Sequence, residues 1–432
     1  MNMEINRKYP RVLIVSRNAL KLSGSNGKVM AEMFGNWDKE CLAQIYTHNE
    51  LPEFEGCGRY FRVTDKEAIK ALLPWKRVGC EVSNAQPSVK EGVSKTGNVV
   101  RKNPLTLLLQ DMVWNTGCWK SKELKRWIDD FKPEVLFFMA GSSSFMAKFA
   151  IDVAMHKRIP LVVFNTENYY LKNYNYLERY GWKRVFPLLK WENDRMFERL
   201  MKISCKEIYN NHLLDELYAE RFGRHGEILY QGSSLKPFQK RKRDKSHLTF
   251  TYAGNLGINR HQALIQVGQA LQSISESYYL DVYGRATDDV LQQLNQAVGI
   301  RYHGFVSYNE LVMLMQESDF MVHAESFDEF WVKDLQTAFS TKLSDILATG
   351  SCLILYADKS LACSRYVEEN KCGCLISSPH TLAKQLKELI NDETLQDQYK
   401  KNALIAAKRD FDADKNREAF LNIIEKVCIN SK

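Results

Sequence analysis

A chain of 432 residues is too long for one hydrophobic core, which rarely grows beyond roughly 250–300 residues, so two or three domains are expected. An apolar content of 45% with 11% aromatics is ample for packed cores and excludes a disordered chain. The net charge of +8 hides an asymmetry: residues 1–245 carry 42 Lys and Arg against 28 Asp and Glu, and residues 246–432 carry 18 against 24. A basic first half favours an anionic partner, such as a membrane surface, a phosphorylated lipid or a nucleic acid, against the equal alternative of a merely solvated basic surface.

In chain order, MNMEINRKYPRVLIVS has a short apolar run and no small-residue cleavage site, and reads as a first strand rather than a signal peptide. No apolar run approaches the ~18 residues of a spanning helix. The loop RNALKLSGSNGK follows, then a helix in VMAEMFGNW. Residues 82–103 are rich in Ser, Asn, Lys and Gly and are expected to form a mobile surface loop. After a helical segment to Asp130, PEVLFFMAG and IPLVVFNTEN read as buried strands ending in small or polar residues. Strands alternating with helices imply an α/β domain with a parallel sheet, whose ligands sit beyond the carboxyl ends of the strands. Residues 24–27, 141–144 and 165–168 occupy such ends.

The basic stretch KPFQKRKRDKSH is the expected linker. A second series follows: strands in HLTFTYAGNLG, YYLDVYG, RYHGFV, DFMVHAES and CLILYA, and helices in HQALIQVGQALQSI, VLQQLNQAVG, YNELVMLMQES and STKLSDILATG. The tail is helical. The expected organisation is thus a first domain over residues 1–240 and a second over 246–414, both doubly wound and Rossmann-like, with the C-terminal helix 415–432 packing back on the first. The ten cysteines fall at irregular spacings, as reduced thiols in a cytosolic protein would.

Three features of the second series could carry chemistry. In FSTKLSDILATG a helix start bears Ser340, Thr341 and Lys342, and its free N–H groups, hydroxyls and cation would suit a phosphate; ordinary capping is the competing reading. In TYAGNLGINRHQ, Gly254 and Gly257 flank a turn directly after a strand, with Arg260 at the next helix start, able to hold a phosphate in a bidentate way. In HAESFDEF, Glu325 ends a strand and could accept from sugar hydroxyls, with His323 lining the same place; a lone His at a strand end is more often structural. Cations for a diphosphate beside two carboxylates, Glu325 and Asp345, together suit a nucleotide-sugar.

These residues resemble the retaining family 4 of glycosyltransferases, which share the two-domain fold called GT-B. Gly254 matches the family's turn glycine, Arg260 stands where a lysine is usual, and Glu325 and Asp345 match its two acids. LACSRYVEENKCGCLI also looks like this family, and the SGSNGK loop matches more loosely. Two departures stand out. Asn255 replaces the family arginine, and the stretch between the two acids grows to nineteen residues through DEFWVKDLQTAF, an insertion that is a lid or a packed excursion.

The resemblance implies two Rossmann-like domains facing a cleft, with the donor on the second and the acceptor on the first. The donor would be a nucleotide-sugar, such as a UDP- or GDP-sugar, with no cofactor and no metal. Arg260, Lys342 and the helix start would stabilise the leaving diphosphate. Gly254, Asn255, Ser340, Thr341 and Asp345 would line the donor site, and Phe305 and Val306 would receive the base. Gly24, Asn26 and Gly27 would face the diphosphate and acceptor from the other domain. An inverting relative would need a base, for which Glu167 is the candidate, against its capping of a loop. Relatives of this kind build surface polysaccharides on glycan or polyprenyl-linked acceptors, which suits a cytoplasmic protein whose basic half meets the inner membrane face. Asn255 and the insertion motivate the alternative of a GT-B-like binding protein without activity. A nucleic-acid binder lacks a recognition motif, and a dinucleotide oxidoreductase lacks G-x-G-x-x-G.

Overall fold

A computed structural model describes residues 9–22, 25–73, 78–83, 103–178, 181–238 and 247–430. The loop expected over residues 82–103 and the linker expected over 236–247 lie mostly outside them. The chain forms two compact units, residues 1–229 with 415–432 and residues 230–414.

The first unit runs β1 (Val12–Ser16), α1 (Ser25–Met33), β2 (Leu42–Tyr46), β3 (Arg59–Arg62), α2 (Asp65–Lys70), β4 (Cys80–Val82), α3 (Pro104–Asn115) and α4 (Lys122–Phe131). It continues with β5 (Val135–Met139), α5 (Ser144–Lys157), β6 (Leu161–Asn165), α6 (Phe186–Ile203), β7 (Lys206–Tyr209), α7 (His212–Phe222) and β8 (Glu227–Ile228). The sheet order is β4-β3-β2-β1-β5-β6-β7-β8. β4 alone runs antiparallel, on β3. VLIVS, VLFFM and LVVFN are wholly buried because helices cover both faces, so they read as continuous apolar runs rather than alternating ones. Alternation survives in where the side chains go. Leu136 and Phe138 of β5 join one core with Trp114 and Trp127, whereas Val135 and Phe137 join the other with Phe34 and Phe420.

The second unit runs β9 (Phe250–Ala253), α8 (Arg260–Ile274), β10 (Leu280–Tyr283), α9 (Asp288–Gln296), β11 (Ile300–Gly304), α10 (Tyr308–Glu317) and β12 (Phe320–Ala324). It continues with α11 (Glu329–Asp334), α12 (Thr341–Thr349), β13 (Cys352–Tyr356), α13 (Ala362–Asn370), β14 (Cys374–Ile376), α14 (Leu382–Asn391) and α15 (Glu393–Asp410). The sheet is six-stranded and parallel, in the order β11-β10-β9-β12-β13-β14. A stacked Phe250–Phe320 pair, 5.0 Å between centroids, fixes β9 beside β12.

The last helix, α16 (Ala413–Asn430), closes the second core of the first unit. Its Phe420 lies 4.9 Å from Phe34 and 5.5 Å from Phe137, edge-on in both cases. All ten cysteines are free. Burial pushes the Cys372 and Cys374 thiols up to about 12, so neither is a reactive thiolate. Among the described residues no helix is long and apolar enough to cross a membrane.

Candidate functional site

In both units the first strand is flanked by the second on one side and by a later strand on the other. The strand order therefore reverses between β1 and β5, and between β9 and β12. Crevices at such reversals take ligands.

In the second unit, Arg260 opens α8 just after β9 and Glu325 follows β12, so the winding itself brings them together. Arg260 donates from Nε to Glu325 Oε2 and from Nη2 to Oε1, both at 2.7 Å. His323 Nε2 lies 3.1 Å from Glu325 Oε1. The side chains of Arg260 and Glu325 are 14% and 7% exposed, so this is a buried bidentate pair. Burial alone would raise the Glu325 pKa, but the His323 hydrogen bond and the Arg260 charge outweigh it and hold the carboxyl down at about 2. Arg260 is likewise raised, the burial that would lower it being outweighed by Glu325. The sequence reading gave Arg260 to a diphosphate and Glu325 to a sugar. The structure joins them to each other, with Arg260 Nη1 outside the pair.

The turn after β9 is tightly built. Tyr252 donates its hydroxyl to the Asn255 carbonyl at 2.7 Å, and Asn255 Oδ1 accepts from the Gly257 amide at 2.9 Å. Asn255 thus folds back on its own loop. A Cβ on Gly254 would sit 2.5 Å from the Tyr252 hydroxyl, and one on Gly284 would sit 2.1 Å from the Gly254 carbonyl. Ile258 and Asn259 follow in left-handed conformation, at φ of 53° and 64°. For β-branched Ile258 that is strained, and it sits two residues before Arg260.

The start of α12 carries Ser340, Thr341 and Lys342, all half-buried. Ser340 occupies the N-cap position, yet its side chain makes no capping hydrogen bond. Its carbonyl accepts from the Leu343 amide. Asp345, one turn in, is buried and committed: Oδ1 accepts from Ser233 at 2.6 Å and Oδ2 from Tyr308 at 3.3 Å. Those bonds tie α12 to the chain entering the unit and to α10. The insertion over residues 326–339 is a packed excursion. Phe327 lies 4.6 Å from Tyr356, Asp328 caps α11, and Phe339 joins a cluster with Tyr230, Tyr366 and Phe411. Phe305 lies beyond β11, 62% exposed, with the Arg285 guanidinium 4.4 Å from its ring; Val306 beside it is half-buried.

The first unit has a cavity of about 590 Å³ at its own strand reversal. Arg17, directly after β1, donates from Nη1 to Ser143 Oγ at 2.7 Å and from Nε to His48 at 3.3 Å, with Asp65 3.9 Å from Nη2. Burial lowers the Arg17 pKa against the opposing charges of Asp65 and Asp111. Burial pushes the Asp111 carboxyl up to about 7, against the pull of the α5 start at Ser144 and Phe145. Leu107, Leu109 and Val113 of α3 give the cavity an apolar wall. Asn26 lines it, and Gly27 stands where a Cβ would meet the Ala19 carbonyl at 2.5 Å. Gly24 lies outside the described residues. Glu167 is exposed after β6 and is not itself in the cavity lining, although Tyr169, whose amide its carbonyl accepts from, is.

Sequence reasoning had marked Ser143 only as part of the strand end 141–144, and had not singled out Arg17, His48 or Asp65, nor Ser233, Tyr308 and Arg285. A signal existed for Arg17, a charged residue closing a buried strand, and for Ser143 in the GSSS that ends β5. His48 and Asp65 are brought in only by the pairing of β2 and β3 beside β1.

Two doubly wound parallel units, each with its crevice at the strand reversal, define a GT-B-like architecture. Solved structures agree over nearly the whole chain. Anabaena Alr3699/HepE, solved in complex with UDP, superposes with a TM-score of 0.63 at 12% identity, covering 96% of this chain and all of that one. Sucrose-phosphate synthase from Thermosynechococcus elongatus gives 0.62 at 11% identity, covering 97% and 99%. WaaG, a glycosyltransferase involved in lipopolysaccharide biosynthesis, gives 0.52 at 12% identity, covering 96% and 99%. No curated protein matches the chain. Residues 235–405 match the family Glycosyl transferases group 1. Over this segment, most of the second unit, the chain is similar to that family of glycosyltransferases.

Proposed function

We propose that the enzyme moves a hexose from a UDP-sugar, held by the second unit, to a glycan or lipid-linked acceptor taken by the cavity of the first, in the synthesis of a surface polysaccharide. The diphosphate lies at the start of α12, on Lys342, Ser340 and Thr341, with the outer edge of Arg260 beside it. The base lies against Phe305 and Val306. Glu325 orients Arg260 and offers its remaining lone pair to a sugar hydroxyl. The carrying observation is the buried Arg260–Glu325 pair at the β9–β12 reversal, 2.7 Å in both hydrogen bonds, inside the matched family segment. The UDP in the Anabaena structure supports the choice of nucleotide, and the WaaG likeness supports the choice of pathway.

In the reaction the bond from the anomeric carbon to the diphosphate oxygen breaks and a bond from the acceptor oxygen forms. The acceptor proton passes to the leaving phosphate, with retention at the anomeric carbon. Charge grows on the diphosphate, and Lys342 with the α12 N–H groups lowers its energy where it develops. Asp345, held by Ser233 and Tyr308, keeps α12 in place. A second reading, donor binding without transfer, has two observations in its favour: Glu325 neutralises Arg260, and Asn255 is turned into its own loop. Incubation with UDP-glucose, UDP-galactose, UDP-N-acetylglucosamine and GDP-mannose separates the two. Slow release of UDP from a UDP-sugar is expected. A UDP-sugar that binds and is never hydrolysed, with or without added glycan, favours the second reading.

A further inference from the structure

The cavity of the first unit holds two opposite charges that stop short of each other. Asp65, the first residue of α2, is fixed from α3: its Oδ1 accepts from Gln110 Nε2 at 2.7 Å and from Trp114 Nε1 at 2.9 Å. Trp114 is itself buried, packed on Trp119 and Phe145, so it holds the carboxylate in one orientation. Arg17 is fixed from the other side, with Nη1 donating to Ser143 at 2.7 Å and Nε to His48 at 3.3 Å. Asp65 Oδ2 and Arg17 Nη2 then stand 3.9 Å apart. That is too far for a hydrogen bond, yet one oxygen atom about 2.8 Å from each fits between them. Both side chains line the cavity and both reach solvent.

The chemistry of this gap is selective. An ionised carboxylate only accepts and a guanidinium only donates, so the atom between them must give one hydrogen bond and receive another. A hydroxyl does both. An ionised phosphate or carboxylate oxygen only accepts, and it would face the Asp65 charge. Among the described residues that line the cavity, Arg17 is the one cation of its kind and Asp65 the one carboxylate, so the lining carries no net charge. His48 accepts from Arg17 and is not a second cation. Asp111 acts on Arg17 as well, from outside the lining. The rest of the α3 wall is apolar, with Leu107, Leu109 and Val113. A sugar ring matches both halves, with hydroxyls around its edge and C–H groups on its faces. The volume, about 590 Å³, is that of pockets which enclose a small ligand, roughly 300–1,000 Å³.

We infer that the first unit selects an uncharged sugar as its acceptor, with one ring hydroxyl seated between Asp65 Oδ2 and Arg17 Nη2 and the ring laid on the apolar wall of α3. The inference rests on the reading of this cavity as the acceptor side. Asp65 and Arg17 are then the residues that read the hydroxyl, and Gln110 and Trp114 are positioning residues that aim the carboxylate. A sugar that brings a phosphate or a uronate to this point is turned away by Asp65. One that lacks the hydroxyl leaves both charged groups unmatched, the situation in which discrimination is strongest.

Saturation-transfer NMR on the whole protein tests it, with the methyl glycosides of glucose, galactose, mannose and N-acetylglucosamine set against glucose 1-phosphate and methyl glucuronate. At least one neutral glycoside should bind at millimolar concentration, and neither anionic sugar should bind more tightly than it. In Asp65→Asn the carbonyl oxygen can still accept from Gln110 and Trp114, but a second donor faces Arg17 where the acceptor stood. That variant should bind the neutral glycoside at least about tenfold more weakly. It should also gain affinity for an anionic sugar, because the lining then carries the Arg17 charge alone; a loosened fold would weaken both classes together. UDP should shift the thermal midpoint of wild type and variant by the same amount, and no shift in either would count against the donor reading while leaving the sugar panel to stand by itself. Three results overturn the inference: no neutral glycoside bound by the wild type, an anionic sugar bound more tightly than every neutral one, or neutral binding unchanged in Asp65→Asn.

Discussion

The two units wind their sheets the same way and use the resulting crevices differently. At the β9–β12 reversal the charges are paired inward: Arg260, Glu325 and His323 form one buried cluster. At the β1–β5 reversal the charges border an open cavity, with Arg17 spread over Ser143, His48 and Asp65 and an apolar wall from α3. One topology thus supports a tight, charge-paired crevice in the second unit and a roomier one in the first, as the proposed donor and acceptor roles would require. That the same winding yields opposite electrostatics teaches that the crevice is given by topology and its chemistry by the few residues that end the strands.

The largest effect should come from breaking the inward pair. Glu325→Gln leaves the Arg260 charge buried without its partner and should destabilise the second unit by about 3–5 kcal/mol. Calorimetry would show this as a separate, earlier transition, and a loss below about 1 kcal/mol would mean the pair is not the keystone of the crevice. The pair also sets a pH signature. The folded Glu325 carboxyl is depressed to about 2, below its unfolded value of about 4.3. Its contribution is therefore present above the unfolded value and lost as pH falls toward 2. Wild type should lose this stability below about pH 4, and Glu325→Gln should not show that loss.

Next come the glycines, where the two crevices differ in room. Gly254→Ala places a Cβ 2.5 Å from the Tyr252 hydroxyl, whereas Gly141→Ala in the first unit meets nothing within 4 Å. The first should cost about 1–3 kcal/mol, and the second should stay within about 0.5 kcal/mol. Equal effects in thermal unfolding would erase the contrast between a tight and an open crevice.

A smaller effect belongs to Asp111. Its folded carboxyl is pushed up to about 7, above its unfolded value of about 3.9, so the folded state binds the extra proton and loses stability as pH rises between those two values. Asp111→Asn should stabilise the first unit at pH 8 by on the order of 1 kcal/mol and leave it unchanged near pH 4. A variant that is less stable at pH 8 would show that the ionised carboxyl is supported by its surroundings.

Much of this was legible in the sequence. Both α/β series could be read from apolar runs closed by small or polar residues, and HAESFDEF, GINRHQ and STKLSDILATG lie where strand ends and helix starts were expected. Less legible was what those residues touch. Arg260 and Glu325 are 65 positions apart, and only the pairing of β12 with β9 makes them neighbours. Asp345 looks like a site carboxylate in sequence, yet Ser233, 112 positions away, claims it. The first cavity was marked only in part, by the strand ends at 24–27 and 141–144, because Arg17, His48 and Asp65 come from the ends of β1 and β2 and from α2 with no local motif.

The most direct test of the account is calorimetric titration of UDP into the wild-type protein and into Lys342→Ala. Lys342 is half-buried at the start of α12, so the substitution should preserve the fold. UDP should bind the wild type, and the variant should bind about tenfold more weakly, as the loss of one charge-assisted contact to a phosphate implies. UDP binding unchanged by Lys342→Ala, or no binding of any nucleoside diphosphate to the wild type, would contradict it.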